Sequence, residues 1–310
     1  MKRKNNSKNN KRNKYISFKT KKYPEISVII CTFNDRKYLR KSISSILNQT
    51  FRDFELIIFD DGSTENIEKI VKSFNDARIQ FIKLNKNMGS IGKTRSVAVS
   101  YATGLYCFFT DGDCFTDKNW LKVGLDAFKR HNAMAVEGKI IYVKEGYQSC
   151  LSDKGGANEI GGCWMTGNMA YRRSTLAEHN FNPNLTSLED RELGLRISRL
   201  SPIPFISNFK VYHMKKQRFS IFEYLKETNR YKIKVQLIKN YGDTTGNKFR
   251  IINPKFLLVM FCPFLILGEF YYGRIKSWDD IKLLPFVWIK AIYLRYIVWS
   301  TAIKEKVFVI

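Results

Sequence analysis

The feature that most constrains this chain is a regular alternation of short apolar runs with amphipathic stretches, which starts at Glu25. The apolar runs are rich in β-branched and aromatic residues and predict strands, whereas the stretches between them carry helical periodicity. The predicted elements are strand 26–31, helix 36–48, strand 54–59, helix 67–74, strand 79–84, helix 91–102 and strand 106–110. Continuous apolar strands that alternate with helices are typical of a parallel sheet covered on both faces. The sequence therefore predicts an α/β fold with a mostly parallel sheet.

Polar residues follow three of these predicted strands at the point where each strand ends. They are residues 32–35 after the first strand, residues 60–63 after the second, and residues 111–113 after the fourth. Ligands of open parallel sheets bind outside the carboxyl ends of the strands, so these residues are candidates for a binding site. For residues 60–64 a turn with a helix N-cap is the structural alternative, because Asp, Gly and Ser all favour turns.

Asp111 and Asp113 are separated by one residue and follow a wholly apolar strand. Two carboxylates at this distance repel each other unless a cation lies between them. Hard divalent cations such as Mg²⁺ or Mn²⁺ prefer oxygen ligands and bridge carboxylates to phosphates. The pair therefore predicts a divalent metal site at the edge of the sheet.

Composition and charge narrow the class of protein. The chain has 310 residues with 44% hydrophobic and 14% aromatic residues, which argues for a packed core, and its net charge is +25. The six cysteines form no C-x-x-C pair, so a disulfide scaffold or a zinc finger is not expected, and no apolar run of a cleaved secretory signal precedes residue 25.

Residues 1–24 are rich in lysine and contain no acidic residue, and we expect them to form a disordered tail. Such a tail can bind RNA or anionic lipid, or it can be a solvated extension without a partner.

Four segments taken together resemble the opening of family 2 glycosyltransferases. They are residues 27–34 (SVIICTFN), 45–51 (SILNQTF), 60–64 (DDGST) and 111–113 (DGD). Their order and spacing are specific, although each segment alone is common. The resemblance implies an inverting enzyme with the Rossmann-like, A-type glycosyltransferase fold over residues 25–240, which uses a nucleotide sugar as donor.

The resemblance also implies roles for the residues after the first two strands. Cys31 and Phe33 are similar to residues that flank the nucleotide base, Asp61 to one that accepts a hydrogen bond from the base, and Asp60 to a support of the same loop. Arg95 matches a basic residue near the nucleotide. Cys31 stands where Pro is common in the family, and Phe33 stands where Tyr is usual.

In the DxD segment, the resemblance implies that Asp111 lies near the ribose and the metal, that Gly112 belongs to the nucleotide-sugar site, and that Asp113 binds Mn²⁺ or Mg²⁺. His213 is similar to a histidine that completes the metal shell in some members. A histidine at a strand end is also a common structural hydrogen-bonding group, so both interpretations of His213 stay open.

Two later segments resemble the sugar and acceptor side of the family's site. Trp164, Gly167 and Asn168 are similar to residues that flank the sugar and the acceptor. Asp190 is assigned as the base that deprotonates the acceptor hydroxyl, with Glu189 as the alternative. Both acids also suit the first turn of a helix, where negative charge is favoured.

The last part of the chain, residues 241–310, is apolar and aromatic. Residues 256–273 and 283–303 are long enough to consider as membrane segments, but glycine, proline and charges interrupt them. Interfacial or re-entrant helices fit these stretches better than clean spans, and a helical subdomain packed on the sheet is the alternative.

The sequence thus predicts a metal-dependent glycosyltransferase that adds one sugar, with a UDP-sugar favoured, to a lipid-linked or glycan acceptor. We expect it at the cytoplasmic face of the cell membrane, on anionic lipid, with no specific nucleic acid as partner. One rival is a nucleotidyltransferase, which requires a basic, glycine-rich loop after the first strand, and residues 32–35 lack one. The other rival is a non-catalytic basic protein that binds nucleic acid or membrane through its tail.

Overall fold

A computed structural model describes residues 14–17, 24–144, 158–215, 221–242 and 278–307. Within these residues the chain forms one mixed sheet of nine strands in the order β1-β4-β3-β2-β5-β8-β7-β9-β6. The strands are β1 Lys14–Ser17, β2 Ile26–Thr32, β3 Phe54–Asp60, β4 Ile79–Lys83, β5 Tyr106–Phe109, β6 Cys114–Thr116, β7 Ala135–Lys144, β8 Met169–Arg172 and β9 Phe205–Lys215.

The first half of the sheet has the predicted alternation of strands and helices. Helices α1 Arg36–Leu47, α2 Ile67–Lys72 and α3 Ile91–Val99 connect β2, β3, β4 and β5 in turn. The pairs β2–β3, β3–β4 and β2–β5 are all parallel. The chain moves outward from β2 to β4 and then returns to the other side of β2. A ligand cleft is expected where the strand order reverses in this way, at the carboxyl ends of β2 and β5.

The second half of the sheet corrects the prediction of a mostly parallel sheet. β8 pairs antiparallel with both β5 and β7, and β6 pairs antiparallel with β9, although β7 and β9 run parallel. Counting β1, which is antiparallel to β4, four of the eight pairings among the described strands are antiparallel. These pairings join segments far apart in sequence, which the local alternation does not predict.

Alternate residues of the central strands pack on opposite faces of the sheet. Ile26, Val28 and Ile30 of β2 belong to a buried cluster with residues of α1, α2 and α4 (Trp120–His131). Ile29 belongs to the cluster on the other face, which contains residues of α3, α5 (Arg173–Glu178) and α6 (Glu189–Ser198). Both faces of the sheet are therefore covered, as the apolar strands predict.

The basic segment 1–24 contains one element that the sequence did not predict. Lys14–Ser17 forms the edge strand β1, paired with Gln80 to Lys83 of β4, so the prediction of disorder is wrong for these four residues. Backbone pairing with an exposed strand edge does not require an apolar sequence, which explains why composition did not reveal it. The rest of the predicted tail up to residue 23 lies outside the described residues.

Two helices follow the sheet in the last part of the chain. They are α7 Ile221–Tyr241 and α8 Trp278–Lys304, which pack on each other through Val235, Val298 and Ala302. The Tyr241 hydroxyl donates to Glu192 Oε1 of α6 at 2.6 Å, and this bond joins the helix pair to the sheet domain.

The predicted apolar stretch 283–303 lies within α8, so its helical character is confirmed, whereas the stretch 256–273 falls outside the described residues. No helix in the described part of the chain is both long and apolar enough to cross a membrane.

Candidate active site

A cluster of potential metal ligands lies at the carboxyl end of β5. Asp111 and Asp113 follow β5 directly, and the pairing of β6 with β9 sets Cys114 opposite His213. Asp113 Oδ1 lies 3.0 Å from His213 Nε2. One ligand atom from each of these four residues lies within 4.8 Å of the others. The structure thus brings His213 together with Asp111 and Asp113, although Asp111 and His213 are 102 residues apart in the sequence. A cysteine that the sequence analysis did not single out lies beside them.

The donor set fits a hard divalent cation. Two carboxylates and an imidazole suit Mg²⁺ or Mn²⁺, and a thiolate would instead favour a softer metal. Burial raises the pKa of the Cys114 thiol well above its ordinary value in the absence of a metal. Asp111, Asp113 and His213 are the members of the cluster that supply oxygen and nitrogen atoms.

Arg95 of α3 joins this cluster to the start of α6. Its Nη2 donates to Asp111 Oδ1 at 3.1 Å, and its Nη1 donates to Glu189 Oε1. The pKa of Glu189 is raised to about 7, because the effect of burial, which raises it, is larger than the effect of Arg95, which lowers it. Glu189 is almost fully buried in this pair, so its carboxylate is not presented to an acceptor. Glu189 thus lies as a support of Arg95, and its alternative assignment as the base stays a prediction.

Asp190 is held in a different environment from its neighbour. Its Oδ2 accepts hydrogen bonds from both the backbone N and the Oγ1 of Thr166, each at 3.2 Å, and its Oδ1 accepts from Arg191 N at 2.7 Å. Asp190 is half-buried at the first turn of α6, whereas Thr166 is buried. The carboxylate thus has a defined orientation with part of its surface accessible. Sequence reasoning missed Thr166, since nothing local connects it to Asp190.

The loops after β2 and β3 are joined by side chains. Asn34, which has a left-handed backbone (φ 53°), accepts hydrogen bonds at its Oδ1 from Thr64 N and Thr64 Oγ1, at 2.9 and 3.1 Å. Its own backbone N donates to Ser63 Oγ at 2.8 Å. Phe33, between these loops, is 48% exposed. An exposed ring on a fixed loop can stack on a planar base.

Asp60 and Asp61 are both buried, and each is held by the backbone around it. Asp60 Oδ1 accepts from Ser63 N at 2.9 Å, and burial raises the pKa of Asp60. Asp61 accepts from Met88 N at 2.9 Å, from Thr94 Oγ1 at 2.7 Å and from Asn87 Nδ2 at 3.0 Å. The support role of Asp60 and the contact of Asp61 with a base both stay predictions.

Cys31 ends the central strand beside these loops. Burial raises its pKa to about 12, so it is a neutral thiol and no nucleophile at physiological pH.

Two glycines lie close to carboxylates of the cluster. A Cβ on Gly112 would lie 3.1 Å from Asp35 Oδ2, and a Cβ on Gly167 would lie 3.2 Å from Asp111 Oδ2. Gly167 belongs to a short 3₁₀ helix, Thr166–Asn168, that faces the end of β5. A side chain at Gly167 would displace the Asp111 carboxylate of the cluster by a few tenths of an ångström, and one at Gly112 would displace that of Asp35.

Asn168, which is predicted to contact the sugar or the acceptor, lies in the core beneath the site, and this contact stays a prediction. Asn168 is fully buried, its Oδ1 accepts from Trp120 Nε1 at 2.8 Å, and its Nδ2 donates to the carbonyls of Lys139 and Phe209, at 2.9 and 2.8 Å. All its polar atoms are engaged within the protein. Asn168 therefore holds β7, β9 and α4 together below the site.

Trp164 is also placed in the core rather than at the surface of the site. Its ring is buried, and a Cβ on Gly194 of α6 would lie 2.4 Å from Trp164 Cγ. The indole thus packs directly on the helix that begins with Glu189 and Asp190. Little of the ring is accessible, and its predicted contact with sugar or acceptor stays a prediction.

A second residue that the sequence reasoning missed is Glu137 of β7. Its buried carboxylate accepts hydrogen bonds from Gly162 N at 2.7 Å, Cys163 N at 2.9 Å and Trp164 N at 2.5 Å. Trp164 has a left-handed backbone (φ 50°), which these bonds stabilise. A lone acid inside an apolar strand was the available signal, since a buried carboxylate requires donors around it.

Comparison with known proteins agrees with this geometry. The profile of Glycosyl transferase family 2 matches residues 27–180. Chondroitin synthase of Escherichia coli is 27% identical over 247 residues, a match that covers 75% of this chain and 35% of that enzyme. The chain thus spans about a third of the length of this relative.

Solved structures show the same fold at lower identity. Staphylococcus aureus TarS 1-349 in complex with UDP-GlcNAc has a TM-score of 0.57 at 20% identity, and the match covers 90% of this chain and 92% of the TarS chain. The mannosyltransferase PcManGT from Pyrobaculum calidifontis, in complex with GDP-Man and Mn²⁺, has a TM-score of 0.55 at 14% identity, with 92% and 87% covered.

Proposed function

Because the chain belongs to glycosyl transferase family 2, we propose that it transfers a single sugar from a nucleoside diphosphate sugar, with inversion and with a divalent cation, to a hydroxyl of a glycan or lipid-linked acceptor. The observation that carries the proposal is the proximity of two groups of side chains beside the carboxyl end of β5. Asp111, Asp113 and His213 form one group, and Asp190 with Thr166 forms the other. Arg95 links them, because it bonds both to Asp111 and to Glu189, the neighbour of Asp190.

The first group suits the diphosphate of the donor. Asp111, Asp113 and His213 would hold a Mn²⁺ or Mg²⁺ ion, which would supply positive charge beside the leaving diphosphate. Arg95 fixes the orientation of Asp111 through its 3.1 Å hydrogen bond, and buried Glu189 fixes Arg95 in turn. The chain thus holds the ligand atoms in place before the donor binds, which reduces the reorganisation needed during transfer.

The second group suits the acceptor. In transfer with inversion, a carboxylate must take the proton of the acceptor hydroxyl as the oxygen attacks the anomeric carbon. Asp190 is half-buried, is oriented by donors of Thr166, and is not one of the residues assigned to the metal. Trp164 beneath α6 and Glu137 behind Trp164 keep the start of the helix in position.

A uridine donor is favoured. The exposed ring of Phe33 can stack on the base, and Asp61 can accept from its N–H, since a carboxylate has more lone pairs than the donors Asp61 already binds. The TarS structure with UDP-GlcNAc supports this choice, whereas the GDP-Man complex of PcManGT shows that the fold also takes guanosine donors.

A membrane-associated acceptor, at the cytoplasmic face of the cell membrane, completes the proposal. The net charge of +25 favours an anionic lipid surface. No specific nucleic acid is expected, because the function resides in the acidic cluster rather than in the basic tail.

The proposal is tested by incubating the protein with a panel of UDP- and GDP-sugars, with and without Mn²⁺, and measuring release of the nucleoside diphosphate. We expect turnover of one donor, dependent on the metal, and NMR of the transfer product should show the inverted anomeric configuration. Turnover without any metal, or retention of configuration, would contradict the mechanism. Binding of RNA by the full chain with no donor turnover would favour the non-catalytic alternative.

A further inference from the structure

Helix α8 presents large apolar side chains to the outside of the protein. Trp278, Ile289, Tyr296 and Ile303 are 78%, 58%, 63% and 79% exposed. Ile289, Tyr296 and Ile303 follow Pro285 at intervals of seven residues, which is about two turns of helix, so these three lie along one line; Trp278 is the first residue of α8, before this proline. We call the exposed side of α8 that carries these four residues the outer face of α8. Single exposed apolar residues are ordinary, but four on one helix indicate an interaction surface.

The opposite face of α8 is already buried against the protein. Leu294, Ile297, Val298 and Ala302 are all buried, and Val298 and Ala302 share a small core with Val235 of α7. The rotation of α8 about its axis is therefore fixed by packing. Its outer face points away from α7 as a property of the fold.

The charges of the outer face are basic. Lys282 and Lys304 are exposed and lie within the same arc of the helix as the four apolar residues. No acid occurs in this arc among the side chains of α8 that the structure describes. Glu305, just beyond the helix, is paired with Lys239 at 2.8 Å.

We propose that the outer face of α8 lies on a membrane that contains anionic lipid. Tryptophan and tyrosine prefer the boundary between headgroups and acyl chains, and lysines at its edges attract anionic headgroups. A second copy of the chain fits less well, because a two-fold pairing of this face would bring its lysines together. Because the opposite face of α8 is buried against the protein, only the outer face can contact lipid, so the helix would lie in the plane of the membrane surface. The inference deepens the membrane placement proposed above, but it does not depend on sugar transfer.

Sedimentation of the full chain with lipid vesicles tests this inference. The vesicles contain either phosphatidylcholine alone or phosphatidylcholine with phosphatidylglycerol, and the variant is Ile289→Ser with Tyr296→Ser. The control is Leu105→Ser with Leu200→Ser, which removes two exposed apolar side chains elsewhere. Salt at about 0.5 M screens the basic N-terminal tail, so the binding that remains reports the apolar contact.

We expect the wild type and the control to bind the anionic vesicles at this salt concentration. The α8 variant should bind at least about tenfold more weakly, since it loses the insertion of two large side chains. Equal binding of the variant and the wild type would overturn the proposal, as would absence of vesicle binding by the wild type. Light scattering that shows a dimer in the wild type and a monomer in the variant would instead assign the face to a second copy.

The same samples separate this inference from the proposed function. Thermal unfolding monitored by circular dichroism should be equal for all three proteins, because both substitution pairs are on the surface. Donor hydrolysis in the absence of vesicles should also be equal. Loss of vesicle binding with unchanged hydrolysis supports the surface role of α8, whereas normal vesicle binding without hydrolysis of any donor would refute only the proposed chemistry.

Discussion

Replacing Thr166 by valine removes one hydrogen bond from Asp190 and changes little else. Valine has nearly the same shape as threonine, and Thr166 is buried, so the substitution deletes the hydroxyl that donates to Asp190 Oδ2 at 3.2 Å. The backbone N of residue 166 remains, also at 3.2 Å. Because Asp190 is proposed to take the acceptor's proton, a less well oriented carboxylate should slow transfer.

The size of the effect follows from this geometry. Hydrogen bonds to charged groups contribute about 1.5–3 kcal/mol, but this one is long for an O–H donor and a second donor remains. The loss should therefore lie near the lower limit, about 1.4 kcal/mol, which corresponds to a decrease of about tenfold in kcat. The dissociation constant of the donor should not change, since Thr166 supports the acceptor side.

The assay measures kcat with saturating donor and metal, together with donor affinity by calorimetry. Thr166→Ser retains the hydroxyl and should stay near wild type. Thr175→Val is the matched control, because it removes an equally buried hydroxyl that bonds only to Met134 O, at 3.4 Å. A wild-type kcat in Thr166→Val, or an effect confined to donor affinity, would refute the role of Thr166 in orienting Asp190.

Three further predictions concern other residues of the site. In the folded protein burial raises the pKa of Glu189 from 4.5 to about 7, so its proton is held more tightly than in the unfolded chain. The free energy of unfolding should then fall as the pH rises from about 4.5 to about 7. Glu189→Gln should make this pH dependence, measured by urea unfolding, weaker. An equal pH dependence in the variant and the wild type would contradict the burial argument. Asn168→Ala should lower the free energy of unfolding by about 3 kcal/mol, which is about 1 kcal/mol for each of its three hydrogen bonds. An unchanged free energy of unfolding with a raised KM for the acceptor would instead support a contact of Asn168 with the acceptor. Phe33→Ala should raise the KM of the donor about tenfold by loss of stacking, while Phe33→Tyr should not, and equal KM values would exclude stacking.

The part of the fold that could be predicted from the sequence is the first half of the sheet, where local sequence patterns determine the strands and helices. Strand β2, predicted at 26–31, is observed at Ile26–Thr32, and helix α1, predicted at 36–48, is observed at Arg36–Leu47. Apolar runs and helical periodicity determine such elements without reference to distant residues. β7, β8 and β9 depend on pairings between distant segments, so their antiparallel contacts could not be read from local patterns.

The residues of the site likewise include some that could be predicted from the sequence and some that could not. Asp111 and Asp113 could be located because strand ends meet at one edge of the sheet, whereas His213 was found only through the family resemblance. The burial of Trp164 and Asn168 could not be predicted, because sequence similarity does not report whether a side chain faces the cleft or the core. Thr166 was missed because its partner lies 24 residues away and on another element.

The central claim is that Asp113 serves the metal and donor while Asp190 serves the acceptor. Isothermal titration of the UDP-sugar with Mn²⁺ present, followed by single-turnover transfer, measures the two roles separately in Asp113→Asn and Asp190→Asn. We predict that Asp113→Asn loses metal-dependent donor binding, and that Asp190→Asn binds the donor normally but transfers about 10²–10⁴-fold more slowly. Normal transfer by Asp190→Asn, or normal metal-dependent binding by Asp113→Asn, would contradict the account.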